Sequence, residues 1–220
     1  MTANAEPLIE LRDVTFAYDR GRPVLSECCF SLLPEQRVAL VGANGSGKTT
    51  LLHLIVGLLR PTAGELHAFG KARRHEADFH EVRQRAGLLF QEADDQLFCP
   101  TVAEDVAFGP LNLGKPRPEV RQIVADTLAA LELTGYEHRV TYKLSGGEKR
   151  LVALATVLAM QPDVLLLDEP TAGLDDEATE RLVELLGRLP QAMLIASHDR
   201  AFLERTTNAT RELRGGHVLG

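Results

Sequence analysis

Apolar residues along this chain fall into a few distinct spacings. In LIELRDVTFAY, Val14, Phe16 and Tyr18 alternate with polar neighbours, which predicts a half-buried antiparallel strand. VLSECCFSL, running toward Pro34, predicts its partner strand. RVALV, VLLLDE and AMLIASHD each open on a nearly continuous apolar run, the pattern of parallel strands covered on both faces. KTTLLHLIVGLL, LVALATVLAM and ATERLVELLGRL are helical stretches placed among these strands, and Pro61 and Gly64 predict where the first of them stops. Strands that alternate with helices predict a parallel α/β sheet. From about residue 92 to 158 the strand signal lapses. There Val120, Ile123, Val124, Leu128 and Leu131 recur at helical spacing, with Pro118 near the start and Gly135 at the end. The expected organisation is one domain over residues 1–220. Its α/β core, with an N-terminal antiparallel β subdomain, covers about 1–91 and 159–220, and a helical subdomain is inserted at about 92–158. No internal repeat or low-complexity linker is visible.

Composition narrows the function classes. The chain has 220 residues with 45% apolar side chains, enough for a substantial core. A net charge of −7 argues against nucleic acid as a main partner, because neutralising phosphates needs a basic excess. No apolar stretch approaches the roughly 18 residues of a membrane span. MTANAEPLIE has neither a basic n-region nor an apolar h-region, so no secretory leader is expected. Cys28, Cys29 and Cys99 have no metal-ligand spacing and form no disulfide framework, which suits a reducing cytoplasm.

The chemistry starts at Gly42–Thr49, GANGSGKT, a G-x-x-x-x-G-K-[ST] motif between an apolar strand and an apolar helix. Glycines let the backbone turn tightly, so that successive N–H groups converge on phosphate oxygens, and the helix start adds a partial positive charge. Gly42, Asn44, Gly45, Ser46, Gly47, Lys48, Thr49 and Thr50 are the candidate nucleotide cradle. Lys48 would reach the β- and γ-phosphates, and the Thr49 hydroxyl would ligate Mg²⁺. Taken alone, the segment also fits an ordinary strand-to-helix glycine turn. VLLLDE supplies the acidic half of an ATPase site, with Asp168 for the magnesium shell and Glu169 to polarise the attacking water. Taken alone, these carboxylates also fit a sheet edge capped in solvent.

LSGGEKR at Leu144–Arg150 and PTAGLD at Pro170–Asp175 complete a pattern with the glycine loop, VLLLDE and His198. Over nearly its whole length the chain resembles the nucleotide-binding subunit of ABC transporters. The resemblance implies a P-loop NTPase fold of the α/β class with an antiparallel β subdomain and an inserted helical subdomain. It implies ATP and Mg²⁺ as cofactors, and a head-to-tail homodimer that sandwiches two ATP molecules. Ser145, Gly146, Gly147 and Glu148 stand in the signature loop that contacts the γ-phosphate held by the other subunit; Glu148 replaces the glutamine of many relatives. Tyr18 matches the aromatic that stacks on adenine, though its spacing also suits a core aromatic. Gln91 matches the glutamine that senses magnesium and γ-phosphate. Asp175 matches the loop that crosses between subunits, and His198 matches the histidine that bonds the γ-phosphate.

FQEADDQLFCPTVAEDVAFGPLNLG, from Phe90 onward, resembles the corresponding region of energy-coupling factor importers. In ABC ATPases this junction receives a helix of the membrane partner. Leu97 and Phe98 would line the groove, and Glu92, Asp94 and Asp95 would receive basic residues; a solvated acidic loop with Phe98 tucked inward also fits. The resemblance implies a membrane T-component and a substrate-binding membrane subunit as partners, at the cytoplasmic face of the cell membrane. Many ATPases of this group carry an extra C-terminal dimerisation segment; this sequence stops at RELRGGHVLG, and the short form is most similar to the ATPase of cobalt and nickel importers, with biotin or other vitamin importers as the alternative. A lipoprotein or drug exporter ATPase, a soluble ABC protein of translation or repair, and a non-hydrolysing nucleotide binder fit the same motifs less well. His67, His75 and His80 have no helical i,i+4 pairing and lie in a strongly charged stretch, so they are read as a solvated surface rather than a metal site.

Overall fold

The computed structural model describes residues 6–19 and 21–220. Residues 1–5, at the head of the segment expected to carry no leader, lie outside them. Two compact units result: Met1–Leu88 with Asp163–Asp168 and Pro190–Gly220, and Leu89–Pro162 with Glu169–Leu189. The second unit therefore takes in residues 169–189 as well as the helical stretch read from the sequence.

In the first unit, β1 (Ile9–Phe16) pairs antiparallel with β2 (Leu25–Leu32), as the alternation predicted. Its inward residues Ile9, Leu11 and Val14 are buried, while the residues between them face outward or are half-covered. β3 (Arg37–Val41) is the apolar RVALV run and leads into α1 (Lys48–Ile55). β4 (Ala63–Ala68) and β5 (Lys71–Ala72) complete a sheet of order β2-β1-β4-β5. After α2 (Asp78–Arg85) come β6 (Ala86–Leu89), β7 (Val164–Asp168) and β8 (Ala192–Ala196). The short helix α7 (Arg200–Thr206), β9 (Ala209–Arg214) and β10 (His217–Leu219) close the chain. The second sheet runs β10-β9-β3-β8-β7-β6. β3 lies parallel to both β8 and β9, and β7 lies parallel to β8. Every residue of β7 and of β8 is buried, which explains their unbroken apolar runs.

The first helix is shorter than its apolar pattern. It ends at Ile55 because Gly57 turns left-handed, at φ 72°, well before Pro61 and Gly64. Gly57 also packs against the buried Phe79 ring: a Cβ there would lie 2.3 Å from ring carbons. The stretch KARRHEADFHEVRQR is not simply a solvated surface, since Phe79 and Val82 of α2 anchor it in the core. Arg73 is buried there too; its guanidinium donates to the Ala68 and Asp78 carbonyls and to Glu81.

The second unit is a helical bundle. α3 (Val102–Asn112) packs on α4 (Arg117–Ala130) and on α5 (Gly146–Leu158), and α6 (Asp176–Arg188) follows. Pro118 lies in the first turn of α4, where its missing N–H costs nothing, and the helix ends before Leu131. Val120, Val124 and Leu128 are buried along one face. Thr101 and Glu104 form a capping box at the start of α3. No helix among the described residues is long and apolar enough to cross a membrane.

Candidate active site

In the first unit, the glycine loop joins β3 to α1. Gly47 takes a left-handed φ of 107°, and a Cβ there would meet the Val24 side chain at 2.9 Å, so the turn requires glycine. Asn44 and Gly45 are exposed at the loop tip. Lys48 is buried, and its ammonium donates to the Gly42 carbonyl at 2.9 Å and the Ala43 carbonyl at 3.3 Å. The Ser46 hydroxyl is buried and bonds to no other described residue. An orphaned hydroxyl beside a folded-back ammonium fits a cradle made for an anion, because a bound phosphate oxygen would satisfy both.

Thr49 and Thr50 lie on the first turn of α1. Thr50 is buried, and its hydroxyl shares a hydrogen bond of 3.0 Å with the Tyr18 hydroxyl. Tyr18 lies just beyond β1, 61% exposed, with its ring edge-to-face on Phe16 at 5.0 Å. Tyr18 is thus not a core aromatic. A phenol pinned at its hydroxyl and supported on one edge leaves ring area open for stacking.

Asp168 ends β7 and is 2% exposed, in register with Ala196 of β8. His53, on α1, was not singled out from the sequence. Burial lowers its pKa, and the charge of Asp168 partly opposes that shift. His198 is exposed in the loop after β8, following the buried Ser197, whose hydroxyl accepts from the Asp199 N–H. The hydroxyl of Thr49 and the carboxylate of Asp168 are hard oxygen donors, a set that suits Mg²⁺.

The second unit carries the other predicted residues. Glu169 is non-glycine at φ 46°, an uncommon backbone state, and its carbonyl accepts from the Ala172 N–H at 3.0 Å. Gln91 is exposed, with its carbonyl bonded by Arg150. Ser145 caps α5, and its hydroxyl accepts from the Glu148 N–H. Gly147 approaches the Gly173 carbonyl so closely that a Cβ would lie 3.0 Å from it. The loop of Gly173 and Asp175 therefore packs beside the signature loop, and Ser145, Gly147, Glu148, Gly173, Asp175 and Arg181 line one cleft. Asp175 caps α6 by accepting from the Ala178 N–H.

Glu148 proves to be an anchor of that loop. Its carboxylate accepts from the Ser145 N–H at 2.8 Å, the Tyr136 hydroxyl at 2.8 Å and Arg139 at 2.9 Å. The Ser145 N–H, then Tyr136, hold its pKa below the usual carboxylate value. A capping-box signal, S-x-x-E, was visible in SGGE but is silent on the Tyr136 and Arg139 contacts.

The segment FQEADDQLFCPTV forms a 3₁₀ turn at Ala93–Asp95 followed by an irregular, bending stretch up to Thr101. Phe98 is 65% exposed and stacks edge-to-face on Phe108, itself 46% exposed, at 4.7 Å. It is not tucked inward. Asp94 already pairs with Lys149 at 2.6 Å, whereas Glu92 and Asp95 lie exposed. Asp105, buried on α3, accepts from the Phe98 and Cys99 N–H groups and fixes the turn into α3. Sequence reasoning missed this carboxylate, as it missed Gln96 and Arg150. His67 bonds Glu65 at 3.2 Å, and among the described residues no group of three or more His, Cys, Asp or Glu side chains is placed to hold a metal.

Known proteins are similar to this one over nearly the whole chain. The energy-coupling factor transporter ATP-binding protein EcfA of Methanothermobacter thermautotrophicus is 42% identical across 96% of this chain and 70% of its own length. The cobalt import ATP-binding protein CbiO of Rhodobacter capsulatus is 42% identical across 97% of this chain and 78% of its own length. The solved structure of cbiO1 from Clostridium perfringens, part of the ABC transporter complex cbiONQ, superposes with a TM-score of 0.86 at 30% identity, covering 98% of this chain and 88% of that one. Residues 25–172 match the ABC transporter family. With its glycine loop, strand-end carboxylates and signature loop, this chain belongs to the ABC transporter family and is an ATP-binding ABC-type ATPase.

Proposed function

We propose that this ATPase powers uptake of a transition-metal ion, cobalt or nickel, through an energy-coupling factor complex. It would work at the cytoplasmic face of the cell membrane as a homodimer closing over two ATP molecules. A membrane T-component and a substrate-binding membrane subunit are its partners. The carrying observation is the exposed pair of Phe98, at the end of DDQLF, and Phe108, on α3, in a chain without a spanning helix among its described residues. Two aromatic rings left open to solvent on a helical bundle are an anchor for a partner's apolar helix face. The cobalt import CbiO relative and the cbiONQ component support the metal cargo.

The hydrolytic roles follow from charge and position. Lys48 neutralises β- and γ-phosphate charge, and the backbone N–H groups of residues 42–47 cradle the phosphates. Thr49, Asp168 and Gln91 would hold Mg²⁺, which when bound draws charge from the phosphate oxygens. Glu169 accepts a hydrogen bond from the attacking water and orients it, and His198 bonds the γ-phosphate. Tyr18 stacks on adenine with its ring aimed by Thr50. Ser145, Gly146 and Gly147 donate to the γ-phosphate held by the second copy, and Glu148 keeps that loop in shape.

Two experiments test this reading. Tagged protein pulled from mildly solubilised membranes should bring down a polytopic T-component and a metal-type membrane subunit, identified by mass spectrometry. Recovery of soluble partners alone would sink the transporter assignment, and a vitamin-type membrane subunit would replace the metal. Glu169→Gln should bind ATP normally, lose about 10²- to 10⁴-fold in turnover and accumulate as a dimer with ATP on gel filtration. Wild-type turnover in that variant would remove Glu169 from the reaction.

A further inference from the structure

Gln96 sits at the end of the Ala93–Asp95 turn, half-buried, and every polar atom of its side chain is used. Its Oε1 accepts from the Phe90 N–H at 3.2 Å. Its Nε2 donates to the Ala153 carbonyl at 3.0 Å and to the Thr156 hydroxyl at 2.8 Å, both on α5. At the other end of the same segment, Arg150 donates to the Phe90 carbonyl at 2.5 Å and also to the Gln91 carbonyl. Between these points Lys149 pairs with Asp94. The segment is thus fastened to one helix at residues 149–156, and the N-terminal end of that helix is the signature loop.

The chemistry of the fastening is specific. One side chain must present an acceptor and a two-proton donor in opposite directions, which only a primary amide does. Glutamate would keep the acceptor and set a carboxylate oxygen against the Ala153 carbonyl. Asparagine is a methylene short. A leucine would fill similar space and leave the Phe90 N–H without its acceptor. An α-helix moves as a rod, so a loop fastened along two of its turns moves with it.

We propose that Gln96, assisted by Arg150, is a positioning residue for coupling: a clasp that makes the docking segment and α5 a single moving body. Displacing Phe98 by a docked partner helix then displaces the signature loop, and closing the signature loop on nucleotide moves Phe98. The docking half of this statement rests on the transporter reading; the clasp itself does not.

Amide hydrogen exchange on the full chain, with and without AMP-PNP and Mg²⁺, tests the clasp. In the wild type, nucleotide should slow exchange at residues 145–148 and also at 97–101, beyond Gln91 and its proposed nucleotide contact. In Gln96→Leu, the response at 145–148 should persist while that at 97–101 falls well below the wild-type response, the remainder being carried by Asp105 and Arg150. Thr156→Val, which removes one of the three bonds and serves if the leucine variant does not fold, should give an intermediate response. A purely structural role would speed exchange at 97–101 equally with and without nucleotide, leaving the response intact. That result, or a wild type with no response at 97–101, overturns the proposal. In complexes purified from native membranes, the ratio of complexed to isolated ATPase rate should fall toward one in Gln96→Leu with co-purification unchanged. A wild-type ratio would also overturn it. Failure of the wild type itself to co-purify with a membrane protein would overturn the docking reading and leave the clasp to be decided by exchange.

Discussion

Removing the Glu148 carboxylate tests whether this residue anchors the signature loop. Glu148→Ala deletes the acceptor for the Ser145 N–H, the Tyr136 hydroxyl and Arg139 together. Losing half of a capping box costs about 1 kcal/mol. The half-exposed Arg139 pair adds on the order of 0.5 kcal/mol, and the Tyr136 hydroxyl bond adds roughly 1 kcal/mol. The expected loss is about 2–3 kcal/mol, which for a chain of this size lowers Tm by roughly 4–12 °C. Glu148→Gln keeps one oxygen for the Ser145 N–H and sets its –NH2 where Tyr136 and Arg139 share the other; the phenol hydroxyl can turn to accept, the Arg139 pair is lost, and the variant should cost about 1 kcal/mol. The pH dependence adds a second signature. The folded pKa of Glu148 is depressed below 4.5, so its stabilisation is present above the unfolded value and is lost as pH falls through the folded value. The wild-type advantage over Glu148→Gln should therefore hold at pH 7 and shrink below about pH 4.5. Urea titrations of all three chains at pH 7 and pH 4 provide the measurement. Equal losses for the alanine and glutamine variants, or an alanine variant within about 0.5 kcal/mol of wild type, would refute the anchoring role.

Other perturbations check the rest of the account. Gly57→Ala combines a left-handed backbone with overlap on the Phe79 ring, and should cost about 2–4 kcal/mol. Gly215→Ala has a similar φ of 61° with open space around it, and should cost only about 1 kcal/mol in the same denaturation assay; equal losses would show that Phe79 yields freely. Asp105 has a pKa raised by burial, so its charged form is disfavoured in the fold, and its cost appears as pH rises through the folded value. Asp105→Asn keeps an oxygen for the Phe98 and Cys99 N–H groups, so its Tm relative to wild type should rise as pH goes from 4 to 7; a difference independent of pH would contradict this.

The elements legible in the sequence were those with a local cause. Continuous apolar runs named β3, β7 and β8, because strands covered on both faces need no polar positions. Alternation named β1 and β2, and 3.6-residue spacing named α4. β4 and β9 escaped because their sequences, AGELHA and ATRELR, carry few apolar residues and owe their strand state to the neighbours they pair with. The end of α1 was misplaced because its apolar pattern runs on past Gly57, whose left-handed turn against the Phe79 ring ends the helix.

The same division holds at the site. GANGSGKT, LSGGE and VLLLDE are contiguous, since a phosphate cradle or a strand-end carboxylate needs residues at fixed neighbouring positions, so they can be read from the chain alone. That Tyr18 is open and pinned by Thr50 could not be read, nor that Phe98 faces solvent against Phe108. The capture of Glu148 by Tyr136 and Arg139, and the clasp of Gln96 on Ala153 and Thr156, were likewise invisible. These contacts join residues separated by 9 to 60 positions. A side chain's exposure and partners depend on which distant elements the packed core brings beside it, and one-dimensional spacing carries no record of that.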